Sequence, residues 1–143
     1  MENRIVLVVS LRDVYRSVVG ASCINGALAL SGELGRVIAV PRGICNVCDA
    51  PPSSANCLKE HEPGHWISAA ALARIRTEIP LHRSMQVTGE DVERAALILG
   101  MDRLCLYDSA FSLWLRFPEH RAKMRLFAEL TGTRECDVPE CLE

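Results

Sequence analysis

An α/β fold, with a mostly parallel sheet and helices on both faces, is what this sequence predicts. Short β-branched or apolar runs recur along the chain, and segments of helical period separate them. The length of 143 residues suits one core rather than two. The expected organisation is therefore a single domain over 1–143, with an irregular Cys/His-containing loop at 41–65 and a loose tail at 133–143.

The elements follow in order. Ile5–Val9 is a continuous apolar run, the pattern of a strand buried on both faces. Leu11, Val14, Tyr15, Val18 and Val19 then repeat at helical spacing. Gly20 and Gly26 leave the continuation to Leu30 as one broken helix or two. Arg36–Val40 reads as a second strand, entered through Gly35 and closed by Pro41. Prolines and glycines punctuate 41–65, and a connection that long is usually functional, metal-organised or mobile.

Ser68 is placed to cap a helix beginning Ala69-Ala70-Ala71. Ser84–Val87 is a weaker third strand. Thr88 caps a helix whose first turn is acidic and whose buried stripe is Val92, Ala95, Ala96 and Leu99. Arg103–Tyr107 is the expected fourth strand, with Asp108 capping the helix after it. Pro118 opens a last helix carrying Met124, Phe127, Ala128 and Leu130. Crossovers between the strands should be right-handed. Ligands in such sheets collect beyond the carboxyl ends of strands. That rule nominates Ser10 with Asp13, Arg42 with Cys45, Thr88 with Glu90 and Asp91, and Asp108.

Composition narrows the classes. Apolar residues make up 49% and charged residues 24%, which is globular rather than disordered. Sixteen basic against eighteen acidic side chains give a net charge of −2, so nucleic-acid binding would need a local basic patch. Ile5–Val9 is too short to span a bilayer and lacks the flanks of a secretion signal. Seven cysteines, an odd number, point to reduced thiols. A cytoplasmic location with no membrane attachment is expected.

The segment Leu106-Tyr107-Asp108-Ser109-Ala110-Phe111-Ser112-Leu113-Trp114-Leu115 resembles the strand-to-helix signature of PIN domains, metal-dependent ribonucleases of many toxin–antitoxin pairs. Val92–Leu99 resembles the helix before it, Val40-Pro41 a strand-end "VP", and Trp66-Ile67-Ser68 a helix start. The resemblance implies a PIN-like three-layer architecture and a carboxylate site. Its candidate catalytic residues here are Asp108, Asp13, Glu90 and Asp91, which would hold magnesium or manganese. The first strand, however, ends in Ser10 where the family has aspartate. Cys45, Asn46 and Cys48 lie where its glutamate belongs. The implied domain has an eroded nuclease site and binds a protein partner or nucleic acid.

A second constellation, Cys45-x2-Cys48-x8-Cys57-x3-His61-x3-His65, supplies thiolate and imidazole ligands of the kind zinc prefers. The alternative function is thus a small zinc-stabilised interaction module. A Cys45/Cys48 dithiol enzyme is a third class, with no cation between the two thiols to acidify them. Arg116, Arg121, Lys123 and Arg125 form the basic stretch available to nucleic acid, or a solvated face diluted by Glu119 and Glu129. A homo-oligomer stays open.

Overall fold

The computed structural model describes residues 3–11, 16–44, 60–61, 82–83, 85–108 and 110–131. Strand β1 (Arg4–Ser10) leads through helix α1 (Arg16–Leu30) to strand β2 (Val37–Gly43). A short antiparallel pair follows, β3 (Glu60–His61) with β4 (His82–Arg83). Helix α2 (Gly89–Arg94) runs directly into strand β5 (Ala95–Gly100). A wide helical turn (Leu104–Asp108), helix α3 (Leu113–Arg116) and a 3₁₀ segment (Pro118–Lys123) then bring the chain to strand β6 (Met124–Leu126). A second 3₁₀ segment, Phe127–Thr131, closes the described part.

The main sheet has four strands in the order β2-β1-β5-β6, and every neighbouring pair is parallel. The α/β class and the parallel pairing of the first two expected strands are thus observed. β1 alternates its side chains between two cores. Leu7 and Val9 join Ile98, Val92, Leu106 and Leu113 on one face. Val8 joins Ala21, Ala39 and Met101 on the other, with Val6, Ile24 and Phe127 packed alongside. Both faces are covered, which explains why Ile5–Val9 is apolar without alternation.

Helix α1 is continuous through Gly20 and Gly26. At Gly20 a side chain would meet Met101 and the Phe127 ring, so the glycine is where the helix comes closest to its neighbours. The described part of the helix is Arg16–Leu30, and Leu11 lies in the bend after β1; Val14 and Tyr15 fall outside the described residues. Asn25 reaches from α1 to the outer edge of β2. Its Nδ2 donates to Ala39 O at 2.9 Å and its Oδ1 accepts from Ala39 N at 2.8 Å. Those two bonds satisfy backbone groups of β2 that face no strand among the described residues. Pro41 sits two residues on, on the same outer side, so its missing N–H breaks no sheet bond and β2 continues to Gly43.

Four expected elements are different. Ala95–Leu99, expected as helix, is strand β5; the α2 helix with its Thr88–Asp91 capping box stops at Arg94. Arg103–Tyr107, expected as the fourth strand, runs through most of the wide helical turn. The Asp102 carboxylate accepts the Cys105 N–H at 2.9 Å there and so caps the turn. Within the expected last helix, Met124–Leu126 is edge strand β6, paired with Ile98–Gly100. The expected strand at 84–87 is reduced to one bridge, in which Gly43 N donates to Met85 O and Val87 N to Gly43 O. The Ser68 helix lies outside the described residues.

Candidate functional site

The order β2-β1-β5-β6 places the reversal of chain direction at β1: β2 was added on one side of it and β5 on the other. In such sheets ligands collect beyond the carboxyl ends of the strands flanking that point, here β1 and β5. Ser10 is the last residue of β1 and is buried there. The strand end is tied on both sides, because the Ser10 carbonyl accepts the Ile44 N–H at 3.0 Å and the neighbouring Val9 carbonyl accepts the Met101 N–H at 2.9 Å.

Six and seven residues later, α1 begins with Arg16 and Ser17, both buried. Ser10 Oγ donates to Ser17 Oγ at 2.9 Å, so the strand end and the first turn of the helix are tied hydroxyl to hydroxyl. Arg16 is fixed by an ion pair of 2.6 Å between its NH1 and Asp102 Oδ2; the two side chains are 5% and 15% exposed. A guanidinium that deeply placed retains its charge only with a paired or hydrogen-bonded environment. Burial raises the carboxyl pKa of Asp102, but the Cys105 N–H and the Arg16 guanidinium more than offset it and hold it below its ordinary value. The Cys105 thiol goes the other way. Burial, then the adjacent Asp102 carboxylate, push it up to about 12, and it donates to Val9 O and Asp102 O.

Two hydroxyls, one guanidinium and the amino end of a fifteen-residue helix thus converge at a strand terminus. A guanidinium and two hydroxyls gathered at a strand terminus suit an anion with several oxygens. The carboxylate nearby, Asp102, is neutralised by Arg16 and orients it.

The carboxylates expected to form a catalytic site lie apart in their contacts. Asp91 caps α2 through Thr88 and accepts from Arg42 Nε at 3.2 Å. Glu90 pairs with Arg94 on the exposed face of the same helix. Asp108 faces Arg103 at 3.8 Å and does not cap the next helix, whose N-cap is Ser112. Asp13 lies outside the described residues, as do Cys45, Cys48, Cys57 and His65; His61 is described only as part of β3. Among the described residues no group of three His, Cys, Asp or Glu side chains gathers as a metal site.

The basic stretch is engaged by the fold itself. Lys123 Nζ donates to the carbonyls of Val92 and Glu93 at the end of α2, Arg121 lies over the Trp114 ring, Arg116 over Phe117, and Arg125 bonds the Ala122 and Met124 carbonyls. Among the described residues no helix is long and apolar enough to cross a membrane.

The strand-end rule nominates Ser10 but neither Arg16 nor Ser17. The signal was present as Ser10-x5-Arg16-Ser17 directly after a buried strand. It is hard to see because phosphate-binding turns are usually recognised by glycine, and there is none between Ser10 and Ser17.

No family model and no curated protein matches the chain. Solved structures do. A protein tyrosine phosphatase from Entamoeba histolytica, captured as a product-state mimic, has a TM-score of 0.74 at 16% identity, covering 96% of this chain and 80% of its own. A low molecular weight phosphotyrosine phosphatase from Vibrio cholerae has a TM-score of 0.70 at 20% identity, covering 96% and 79%. The YwlE arginine phosphatase, in a cysteine-to-serine mutant with a phosphorylated active site serine, has a TM-score of 0.67 at 21% identity, covering 95% and 77%. These matches overturn the PIN resemblance, and with it the eroded nuclease and the zinc-module reading. The Asp108 segment that suggested PIN domains forms a wide turn here rather than a strand end. The chain has the fold of the low molecular weight protein tyrosine phosphatases.

Proposed function

We propose that this chain is a phosphatase-type domain that binds a phosphomonoester dianion against Ser10, Arg16 and Ser17. The observation that carries this reading is the burial of those three side chains together at the carboxyl end of β1, with Arg16 pinned by Asp102. A phosphoryl group brings two negative charges and three acceptor oxygens, and a fixed guanidinium beside a helix start complements both. The fold likeness supports the same chemistry, since two of the similar structures are described as an arginine phosphatase and a phosphotyrosine phosphatase.

Inorganic phosphate and vanadate are the simplest probes, read by calorimetry and by thermal unfolding. A ligand at one hundred times its Kd raises stability by about 2.7 kcal/mol, so a clear rise in Tm is expected. Arg16→Lys keeps a charge near Asp102 but loses the planar fork, and should weaken both responses at least about tenfold. Absence of any response to either oxyanion in the wild type would sink the reading.

A further inference from the structure

We infer that this chain pairs with a second copy of itself through the corner where α1 ends. Leu30 and Leu34 form the centre of that contact, and Glu33 and Arg36 exchange charges across it. From Ser17 to Gly32 the chain carries no charged side chain, so α1 has no charged face to turn to water. Its first turns are buried, whereas Ala27, Ala29 and Leu30 in its last turn are exposed, Leu30 to 93%. A helix that is apolar all round belongs in an interior, and here one end of it lies outside. Leu34, 47% exposed, adds a second large apolar side chain in the turn that follows.

The corner is ordered by its own hydrogen bonds. Ser31 N donates to Ala27 O at 3.1 Å, Gly32 N to Ala29 O at 3.3 Å, and Glu33 N and Leu34 N both to Leu28 O, at 2.9 and 3.2 Å. Carbonyls at the end of the helix are thereby satisfied. Gly32 and Gly35 take φ of 76° and 107°, which lets the chain reverse this tightly. A surface already held in shape loses little freedom on association.

The charges beside it select the occupant. Glu33 and Arg36 are both exposed and lie 4.0 Å apart. A two-fold axis presents the same patch from both copies, so that residue i meets j of the other and j meets i. One acid and one base next to an apolar centre are self-complementary under that operation, with Glu33 of each copy meeting Arg36 of the other. A partner charged with one sign would meet one of the two unfavourably. Arg4 N donates to Arg36 O at 2.8 Å, which places the corner at the amino end of β1, away from Ser10. Pairing therefore leaves the oxyanion site open. The patch is small beside the roughly 800 Å² per partner of a stable interface, so the dimer is weak and concentration-dependent.

Sedimentation of the whole chain across the micromolar to millimolar range tests this. The expected result is a monomer–dimer equilibrium that saturates at the dimer. Leu30→Gln changes an exposed side chain and should weaken dimerisation at least about tenfold, with the unfolding midpoint of the dilute protein unchanged. Glu33→Arg and Arg36→Glu should each weaken it too, because each sets like charges opposite one another. Mixed together, those two variants should form a heterodimer about as tight as the wild-type dimer, since opposite charges again face each other. A wild type still monomeric at millimolar concentration overturns the proposal. So does association that grows past the dimer without saturating, or that Leu30→Gln leaves unchanged. A mixture that associates no better than either charge variant alone overturns the reciprocal pairing.

Discussion

Asp102 serves two partners with one carboxylate: Oδ2 takes the Arg16 guanidinium and Oδ1 takes the Cys105 N–H. Its lowered pKa makes this pair a source of pH-dependent stability. A carboxyl depressed in the folded state contributes fully above its unfolded value near 3.8, and the contribution disappears as pH falls through the folded pKa. Asp102→Asn should be less stable than the wild type at neutral pH, and the gap should close below about pH 4, measured by urea unfolding. Asp102→Ala, which removes the carboxylate of a buried ion pair, should cost about 3–5 kcal/mol at neutral pH. A gap that stays constant through acid pH would show that Asp102 acts by shape alone. The candidate site was legible only halfway at this scale. The strand-end rule leads to Ser10, whereas the apolar spacing of residues 11–19 reads as one helical stripe and gives no sign of Arg16 and Ser17. Asp102, hidden between two apolar segments, has no pattern to distinguish it from a solvated acid until its partners are seen.

Periodicity failed where elements are short. Ala95-Ala96-Leu97-Ile98-Leu99 satisfies helical and strand templates equally, and only its burial between β1 and β6 decides for a strand. Gly100 marks the end of that strand. A Cβ there would lie 2.8 Å from Leu106 Cβ, an atom too close to the backbone to swing away. Gly100→Ala should therefore destabilise by about 1–3 kcal/mol, whereas Gly89→Ala meets ordinary contact at 3.7 Å and should have little effect by comparison. Equal unfolding midpoints for the two variants would contradict this packing. Asn25 makes a parallel case. Its amide satisfies both backbone groups of Ala39, so Asn25→Leu should cost about 1–3 kcal/mol by leaving the N–H and carbonyl unpaired, and amide exchange at Ala39 should accelerate.

At the scale of the whole molecule the sequence was most readable. Two continuous apolar runs with a helix between them specify parallel strands covered on both sides, and β1 and β2 pair that way over seven residues. The order of the remaining strands was not readable, because it depends on which apolar run is laid against which after the chain has returned. That order places the first strand in the middle. Val8 lies beside Pro41 on one side and Leu99 on the other. On the ribosome, β1 and β2 are available long before Ala95–Gly100. At about 5–20 residues per second, the delay is roughly 3–10 s. Throughout that interval β1 presents an open, apolar edge capable of pairing with another nascent chain. A truncated chain ending at Arg94 should consequently sediment or remain chaperone-bound, while one ending after Leu126 should be recovered in the supernatant.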